Sequence, residues 1–244
     1  MTGLLVQDTS RTESFFAVDG DWVADQARAL LEDVPVSAFK LGQFVSVDNV
    51  AEVADVLADY PDQPVVYTPD LSACGNDAEA EEEMAEAICE LILPMSTLVV
   101  CSRDDALRLA LGGMDDESGE EDGGTEDADA AGEPGDVDCA RQLLAYGAEH
   151  VLIGGAHAQS PQIINTLFGQ QGVLRTDSWE RLPGSYLGAN DLLAAAAAAF
   201  LARGLPLDEA VRQAQAYAWQ CLAQGWRLGM GRIVPNHFCS ARPA

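Results

Sequence analysis

The feature that most constrains this chain is a repeated alternation of short apolar segments with amphipathic helices. Residues 37–42 and 64–67 are short apolar runs between turn residues, and they predict β-strands. Between them, apolar residues recur at i, i+3, i+4 and i+7 from Val50, and Asp48-Asn49 offers a helix N-cap. Two strands joined through one helix run parallel, so this unit predicts part of a parallel sheet.

The same alternation continues toward the C-terminal part of the chain. We predict helices over residues 77–93, 103–111, 138–147, 189–203 and 207–224, strands over 97–101 and His150–Gly154, and a β-hairpin over 163–168 and 172–175. This order is typical of an α/β fold. We expect a three-layer αβα sandwich with a central, mostly parallel sheet, and ligands at the carboxyl ends of its strands.

Length and charge limit the classes of protein to which the chain can belong. A chain of 244 residues that is 48% hydrophobic can form one sizeable core, so we expect a single domain over residues 1–244. No run of about 18 apolar residues and no export signal is visible, so we expect a cytoplasmic protein without a membrane partner. A net charge of −27 argues against nucleic acid as a partner. Six cysteines without a CxxC pair are expected to be reduced thiols.

One segment differs in composition from the rest. Residues 112–136 are rich in Asp, Glu and Gly and contain no basic residue. Because such a segment buries too little apolar surface to offset its ordering entropy, we expect a disordered acidic insertion. A calcium-binding loop is the weaker alternative, since the alternating ligand spacing with a closing Glu is missing.

The strongest local signal is a glycine-rich stretch, residues 184–191, that runs into an alanine-rich helix. Glycine lets a ligand approach the backbone, and the first N–H groups of a helix are free to bind an anion. A carboxylate in the first turn, Asp191, could accept a proton from an attacking hydroxyl. The alternative is that Asp191 is an ordinary first-turn acid, which the helix dipole favours.

These residues also resemble those of a known family. Gly188-Ala189-Asn190-Asp191 resembles the G-A-G-D signature of the ribokinase superfamily. Residues 181–186 (RLPGSY) resemble, more narrowly, the hydroxymethylpyrimidine/phosphomethylpyrimidine kinases of thiamine biosynthesis. Residues 5–9 (LVQDT), 39–42 (FKLG) and 231–235 (GRIVP) are similar, in the same order, to that family's T-x-Q-[ND]-T, V-K-[IL]-G and G-x-G-x-x-x-P motifs. The resemblance covers nearly the whole chain.

The resemblance implies a ribokinase-like kinase that uses ATP and Mg²⁺ to phosphorylate 4-amino-5-hydroxymethyl-2-methylpyrimidine and its monophosphate. It implies a homodimer as well. The site residues that it implies are Asp191 as catalytic base, Gly188, Ala189 and Asn190 as the anion hole, Gln7 and Gln43 at the pyrimidine, Gly154, Gly155 and His157 at the nucleotide, and Asp105 at Mg²⁺ through water.

Departures from the family pattern leave two alternatives open. The family's first glycine-rich strand-loop-helix has no counterpart before Leu5, so we expect the first strand to be absent, through a late start codon, trimming or reduction in a paralogue. Thr68, Ser102 and Asn190 replace the family's Asp, Asn and Gly. A non-catalytic paralogue that binds a pyrimidine or nucleotide is therefore one alternative. Another superfamily kinase, such as a pyridoxal kinase, is the other.

Overall fold

The computed structural model describes residues 1–74, 77–112, 134–155 and 160–239. In chain order its elements are β1 (Gly3–Gln7), β2 (Thr12–Ala17), α1 (Gly20–Asp33), β3 (Phe39–Leu41), α2 (Val47–Ala58), β4 (Val65–Tyr67), α3 (Ala78–Ala87), β5 (Leu98–Ser102), α4 (Arg103–Gly112), α5 (Asp136–Ala145), β6 (His150–Gly154), β7 (Gln162–Gly169), β8 (Gly172–Glu180), α6 (Ala189–Ala202) and α7 (Leu207–Ala223). Apart from its ends, the predicted insertion over residues 112–136 lies outside the described residues.

A six-stranded sheet in the order β3-β4-β5-β6-β7-β8 forms the centre of the described chain. The pairs from β3 to β6 are parallel, and β7 and β8 add an antiparallel hairpin at one side. Helices cover both faces of this sheet, which confirms the predicted three-layer α/β architecture.

The side chains of β5 illustrate how the two faces are divided. Val99 and Cys101 belong to a buried cluster with residues of α2, α3, α4 and α5. Leu98 and Val100 belong to a second buried cluster with α6 and α7. Successive strand residues point to opposite faces, so a strand covered on both sides reads as a continuous apolar run.

Two local predictions were wrong. Helix α2 is capped by Ser46, whose side chain accepts from the Asn49 N–H, and not by Asp48-Asn49, because the helix already begins at Val47. The predicted helix over 77–93 is α-helical only to Ala87, after which a π turn (Ile88–Ile92) and a 3₁₀ turn (Leu93–Met95) follow. Pro94 has no N–H to donate, so an α-helix does not continue through it.

The first 33 residues form structure that was not predicted from the sequence. Strands β1 and β2 pair as a separate antiparallel hairpin, followed by α1, which packs against α2. The hairpin does not join the six-stranded sheet in the described chain. Among the described residues, no helix combines the length and apolarity needed to cross a bilayer.

Candidate active site

The carboxyl ends of the parallel strands bring several polar residues to one edge of the sheet. Lys40 lies in β3, Thr68 directly follows β4, Ser102 ends β5 and Gly154 ends β6. Parallel strands end at the same edge, which is where ligands bind in open α/β sheets.

Helix α6 begins over this edge. It contacts β3, β4 and β5, and its N-cap residue Gly188 has φ +68°, a left-handed conformation that glycine adopts without a Cβ penalty. The Leu192 N–H donates to the Gly188 carbonyl at 3.0 Å. The N–H groups of Ala189, Asn190 and Asp191 precede the first intrahelical bond, and these are the groups with which a helix start binds an anion.

Asp191 is paired with a cation from β3. Its Oδ1 accepts from Lys40 Nζ at 2.5 Å, and the Asp191 side chain remains 57% exposed while that of Lys40 is 25% exposed. The two residues are 151 positions apart in the chain, and no local pattern could have paired them. A carboxylate with an ammonium group beside it therefore lies at the helix start.

One cavity of about 580 Å³, here called the hairpin cavity, lies between the β1–β2 hairpin and the start of α6. Gln7, Gln43, Gly188 and Asp191 all line it. The structure thus places four of the predicted site residues around one space, although they come from distant parts of the chain. Their roles stay predictions.

The other lining residues of the hairpin cavity were not predicted from the sequence. They are Leu5, Thr12, Phe15, Asp70, Leu187 and Arg232. Arg232 lies in the segment 231–235, which resembles a family motif. Its place in that motif, directly after a glycine, is the one sequence feature that could have marked it as a site residue. Thr12 and Phe15 belong to β2, in which no motif was recognised in the sequence.

A second cavity of about 240 Å³, the tryptophan cavity, also borders the start of α6. Two pairs of neighbours line it, Ala189 with Asn190 and Gly154 with Gly155. Trp179 and Trp219 line it as well, and their rings stack with centroids 6.5 Å apart. Its lining is largely apolar. His157, which the resemblance implied at the nucleotide with Gly154 and Gly155, lies outside the described residues.

A third cavity of about 250 Å³, the junction cavity, is lined by Asp70, Asp105, Asn190, Asp191 and Arg232 among others. It shares Asp191 with the hairpin cavity and Asn190 with the tryptophan cavity. Three carboxylates, the Arg232 guanidinium and the start of α6 therefore border the same cavity.

Asp105 is bound to the start of its own helix. The Asp105 N–H donates to Ser102 Oγ at 3.1 Å and the Ser102 N–H donates to Asp105 Oδ2 at 3.4 Å, which is the geometry of a capping box at α4. Ser102 Oγ also donates to Asp105 Oδ2 at 2.5 Å. Burial raises the pKa of the Asp105 carboxyl, and the hydrogen bonds from Ser102 partly offset that rise. The side chain still borders the junction cavity.

In the described part of the chain, no three His, Cys, Asp or Glu side chains cluster as a metal site. Mg²⁺ at phosphoryl-transfer sites is commonly held by only one or two carboxylates, with water and substrate phosphates as the other ligands. Asp70, Asp105 and Asp191 border one cavity, so the donor set fits an ion of this kind.

The chain is similar in sequence to a family of known kinases. The profile of the family described as phosphomethylpyrimidine kinase matches residues 1–236. A thiamine biosynthesis bifunctional protein of Geobacter sulfurreducens is 27% identical over 241 residues, and the chain covers 46% of that protein. A hydroxymethylpyrimidine/phosphomethylpyrimidine kinase of Rhizobium meliloti is 28% identical over 240 residues, or 98% of this chain and 84% of the relative. The chain thus spans about half of the bifunctional relative and most of the second one.

A solved structure agrees with the fold. The pyridoxal kinase of Bacillus subtilis, determined as an ADP complex, superposes with a TM-score of 0.81 at 21% identity over 98% of this chain and 85% of that chain. This likeness shows the ribokinase-like fold. Because the family profile matches residues 1–236 of the 244, the chain belongs to the phosphomethylpyrimidine kinase family.

Proposed function

We propose that the chain transfers a phosphoryl group from ATP to the hydroxymethyl group of 4-amino-5-hydroxymethyl-2-methylpyrimidine, and then to the phosphate of the resulting monophosphate. The observation that carries this proposal is that the α6 start borders two different cavities. Asp191 borders the hairpin cavity, Asn190 borders the tryptophan cavity, and both border the junction cavity. Such an arrangement suits an acceptor on one side, a donor on the other and transfer at the helix N-terminus.

The hairpin cavity suits the pyrimidine acceptor. Gln7 and Gln43 bring amide groups that donate and accept hydrogen bonds, as a ring with nitrogens and an amino group requires. Leu5 and Phe15 supply apolar surface for the ring itself.

The tryptophan cavity suits the nucleotide. Its apolar lining with Trp179 and Trp219 fits a base ring, and Gly154 and Gly155 leave space for close approach of the chain to a ligand. The Bacillus subtilis pyridoxal kinase with this fold was solved with ADP, which supports the same use here.

The chemistry follows from the residues at the junction. Asp191 takes the proton from the acceptor hydroxyl, the oxygen attacks the γ-phosphorus, and the bond between that phosphorus and ADP breaks. The N–H groups of Ala189 and Asn190 stabilise the transferring phosphoryl, and Lys40 places a positive charge beside Asp191 at 2.5 Å. Mg²⁺, held by Asp105 and Asp70 through water, would neutralise charge on the donor phosphates.

Asp191→Asn tests this proposal, because it keeps the side-chain size and removes proton acceptance. With the free alcohol as acceptor, turnover should fall by about 10²- to 10⁴-fold. The monophosphate is largely ionised at neutral pH and needs no base, so its turnover should fall by less than about tenfold. Steady-state assays of both acceptors with ATP and Mg²⁺ measure this difference.

The matched control is Asp208→Asn, which removes an acid from the first turn of α7. It should lower the free energy of unfolding by about 0.3–1 kcal/mol and leave turnover unchanged. If Asp191→Asn behaves like this control, Asp191 is an ordinary first-turn acid and takes no part in the reaction.

Binding without turnover is the second candidate function. Two contacts favour it: Ser102 binds the Asp105 carboxylate, and Lys40 binds the Asp191 carboxylate. Both carboxylates therefore already have partners in the folded chain. Calorimetry that detects ATP and pyrimidine binding, combined with assays that detect no transfer to either acceptor or to pyridoxal, would establish this function instead.

A further inference from the structure

Arg232 is a charged residue of the junction cavity that has no role in the proposed reaction. Its side chain lines both the hairpin cavity and the junction cavity. Within the described residues, its Nε is buried and has no hydrogen-bond partner. A buried guanidinium nitrogen without a partner is costly, and a bound acceptor group would satisfy it.

The backbone around Arg232 is fixed from two sides. The Arg232 N–H donates to the Thr9 carbonyl at 2.7 Å, in the loop of the β1–β2 hairpin. The neighbouring Ile233 N–H donates to the Ser185 carbonyl at 2.8 Å, and the Leu187 N–H donates to the Ile233 carbonyl at 2.9 Å. Arg232 is therefore held between the hairpin and the segment that leads into α6, before any ligand binds.

The charges around the hairpin cavity give Arg232 a distinct task. Asp70 and Asp191 border the cavity, and Lys40 is already paired with Asp191. The chain as a whole carries −27, so a doubly charged acceptor is repelled unless a local cation offsets the field. A guanidinium offers parallel N–H groups that match phosphate oxygens, whereas a neutral alcohol gains little from it.

We propose that Arg232 binds the phosphate of a phosphorylated acceptor, and that it gives the site a preference for the pyrimidine monophosphate over the free alcohol. This assignment rests on the proposed function, since it concerns the second of the two transfers. It makes Arg232 a specificity-determining residue of the hairpin cavity.

Arg232→Gln, assayed with both acceptors, tests the assignment. The KM for the monophosphate should rise by about 10- to 100-fold, the range expected for loss of charged hydrogen bonds, while the KM for the alcohol should stay within about threefold. Arg232→Lys should recover part of the loss, because it keeps the charge but not the fork of donors. The control is Arg227→Gln, which removes an exposed arginine five residues earlier and should change neither KM.

Three results would overturn the assignment: an unchanged KM for the monophosphate, an equal rise for both acceptors, or a shared loss of kcat with both KM values intact. The last would place Arg232 on the transferred phosphoryl group. Calorimetric titration of wild type and Arg232→Gln with each acceptor, without nucleotide, keeps the test independent of turnover. A wild-type protein that binds the monophosphate through Arg232 but transfers nothing would contradict the proposed function and leave this inference standing.

Discussion

At the scale of single residues, Thr68 has a role in the sheet. It is 2% exposed, and its Oγ1 donates to the Val100 carbonyl at 2.6 Å. The ladder between β4 and β5 ends with the pair Tyr67 and Val99, so this bond extends the connection by one residue. Thr68 stands where the family resemblance implied an acid, and its hydroxyl here holds two strands together at the site edge.

Thr68→Val removes that bond and keeps the shape of the side chain. The Val100 carbonyl would remain buried without this partner, so the free energy of unfolding should fall by about 1–3 kcal/mol. Urea denaturation measures the change.

Thr176→Val is the matched control, because Thr176 is exposed in β8, and its effect should be within about 0.5 kcal/mol. Equal effects of the two variants would mean that the hydroxyl of Thr68 contributes nothing to stability.

At the scale of elements, the β1–β2 hairpin forms one wall of the hairpin cavity. Leu5 pairs with Phe15 and Gln7 with Thr12, and these four residues line the cavity. Its loop is held by the C-terminal segment, where the Gly231 N–H donates to Thr9 Oγ1 at 3.2 Å. The two ends of the described chain therefore build the hairpin cavity together.

Gly231→Ala should loosen this contact, since a Cβ on Gly231 would overlap with the Thr9 carbonyl oxygen. We expect the hairpin to shift and the kcat/KM for the pyrimidine to fall by about 10- to 100-fold, while ATP affinity stays unchanged. Acceptor kinetics and nucleotide calorimetry measure the two effects.

Gly135→Ala is the control, because an added Cβ there meets nothing closer than 3.8 Å. An unchanged kcat/KM in Gly231→Ala would show that the hairpin position does not govern acceptor binding.

Helix α7 is tied to the β7–β8 hairpin by one buried amide. Gln215 Oε1 accepts from Asn165 Nδ2 at 2.8 Å and from Trp179 Nε1 at 3.0 Å, and Gln215 Nε2 donates to Asp177 Oδ2 at 2.9 Å. Arg175 donates to both oxygens of Asp177. These bonds position the wall of the tryptophan cavity.

The same network predicts a pH dependence of stability. The Arg175 guanidinium, and next Gln215, hold the pKa of Asp177 below its usual value of 3.8. A lowered pKa contributes stability above pH 3.8, and that contribution is lost as the pH falls below it. Asp177→Asn should therefore lower the free energy of unfolding by about 1–2 kcal/mol at pH 7. Below pH 4, the free energy of unfolding of this variant should change less with pH than that of the wild type.

Denaturant titrations at several pH values measure both effects. Asp138→Asn, which breaks an exposed pair with Arg141, should change stability by less than about 0.5 kcal/mol. If the free energy of unfolding of wild type and of Asp177→Asn changes with pH in parallel, Asp177 does not cause the pH dependence.

At the scale of the whole molecule, the excess of negative charge is the main feature outside the core. The chain has 40 acidic and 13 basic residues, so its folded state repels itself. We expect the melting temperature to be higher in 1 M KCl than in 0.05 M. Most of the rise should occur below about 0.2 M, because the Debye length is already near 10 Å at 0.1 M. A thermal scan with lower stability in 1 M KCl would refute this.

The sequence by itself determined the layered fold and the location of the helix start at Gly188. The signals were local: apolar runs, helical spacing, and glycines before an alanine-rich helix. Strand β6 was predicted with the same limits that the structure shows, and α6 and α7 to within one residue. Local propensity and periodicity suffice where each element buries its own apolar face.

Only the tertiary structure decided which residues share a site. The β1–β2 hairpin was not predicted because apolar residues on it are adjacent, as in Leu4-Leu5-Val6, and all three of these residues are exposed, so no buried face imposes an alternation. The pairing of Lys40 with Asp191 and the contact of Arg232 with Thr9 join residues more than 150 positions apart. Such contacts depend on how the elements pack in space. The spacing of residues along the chain therefore does not predict them.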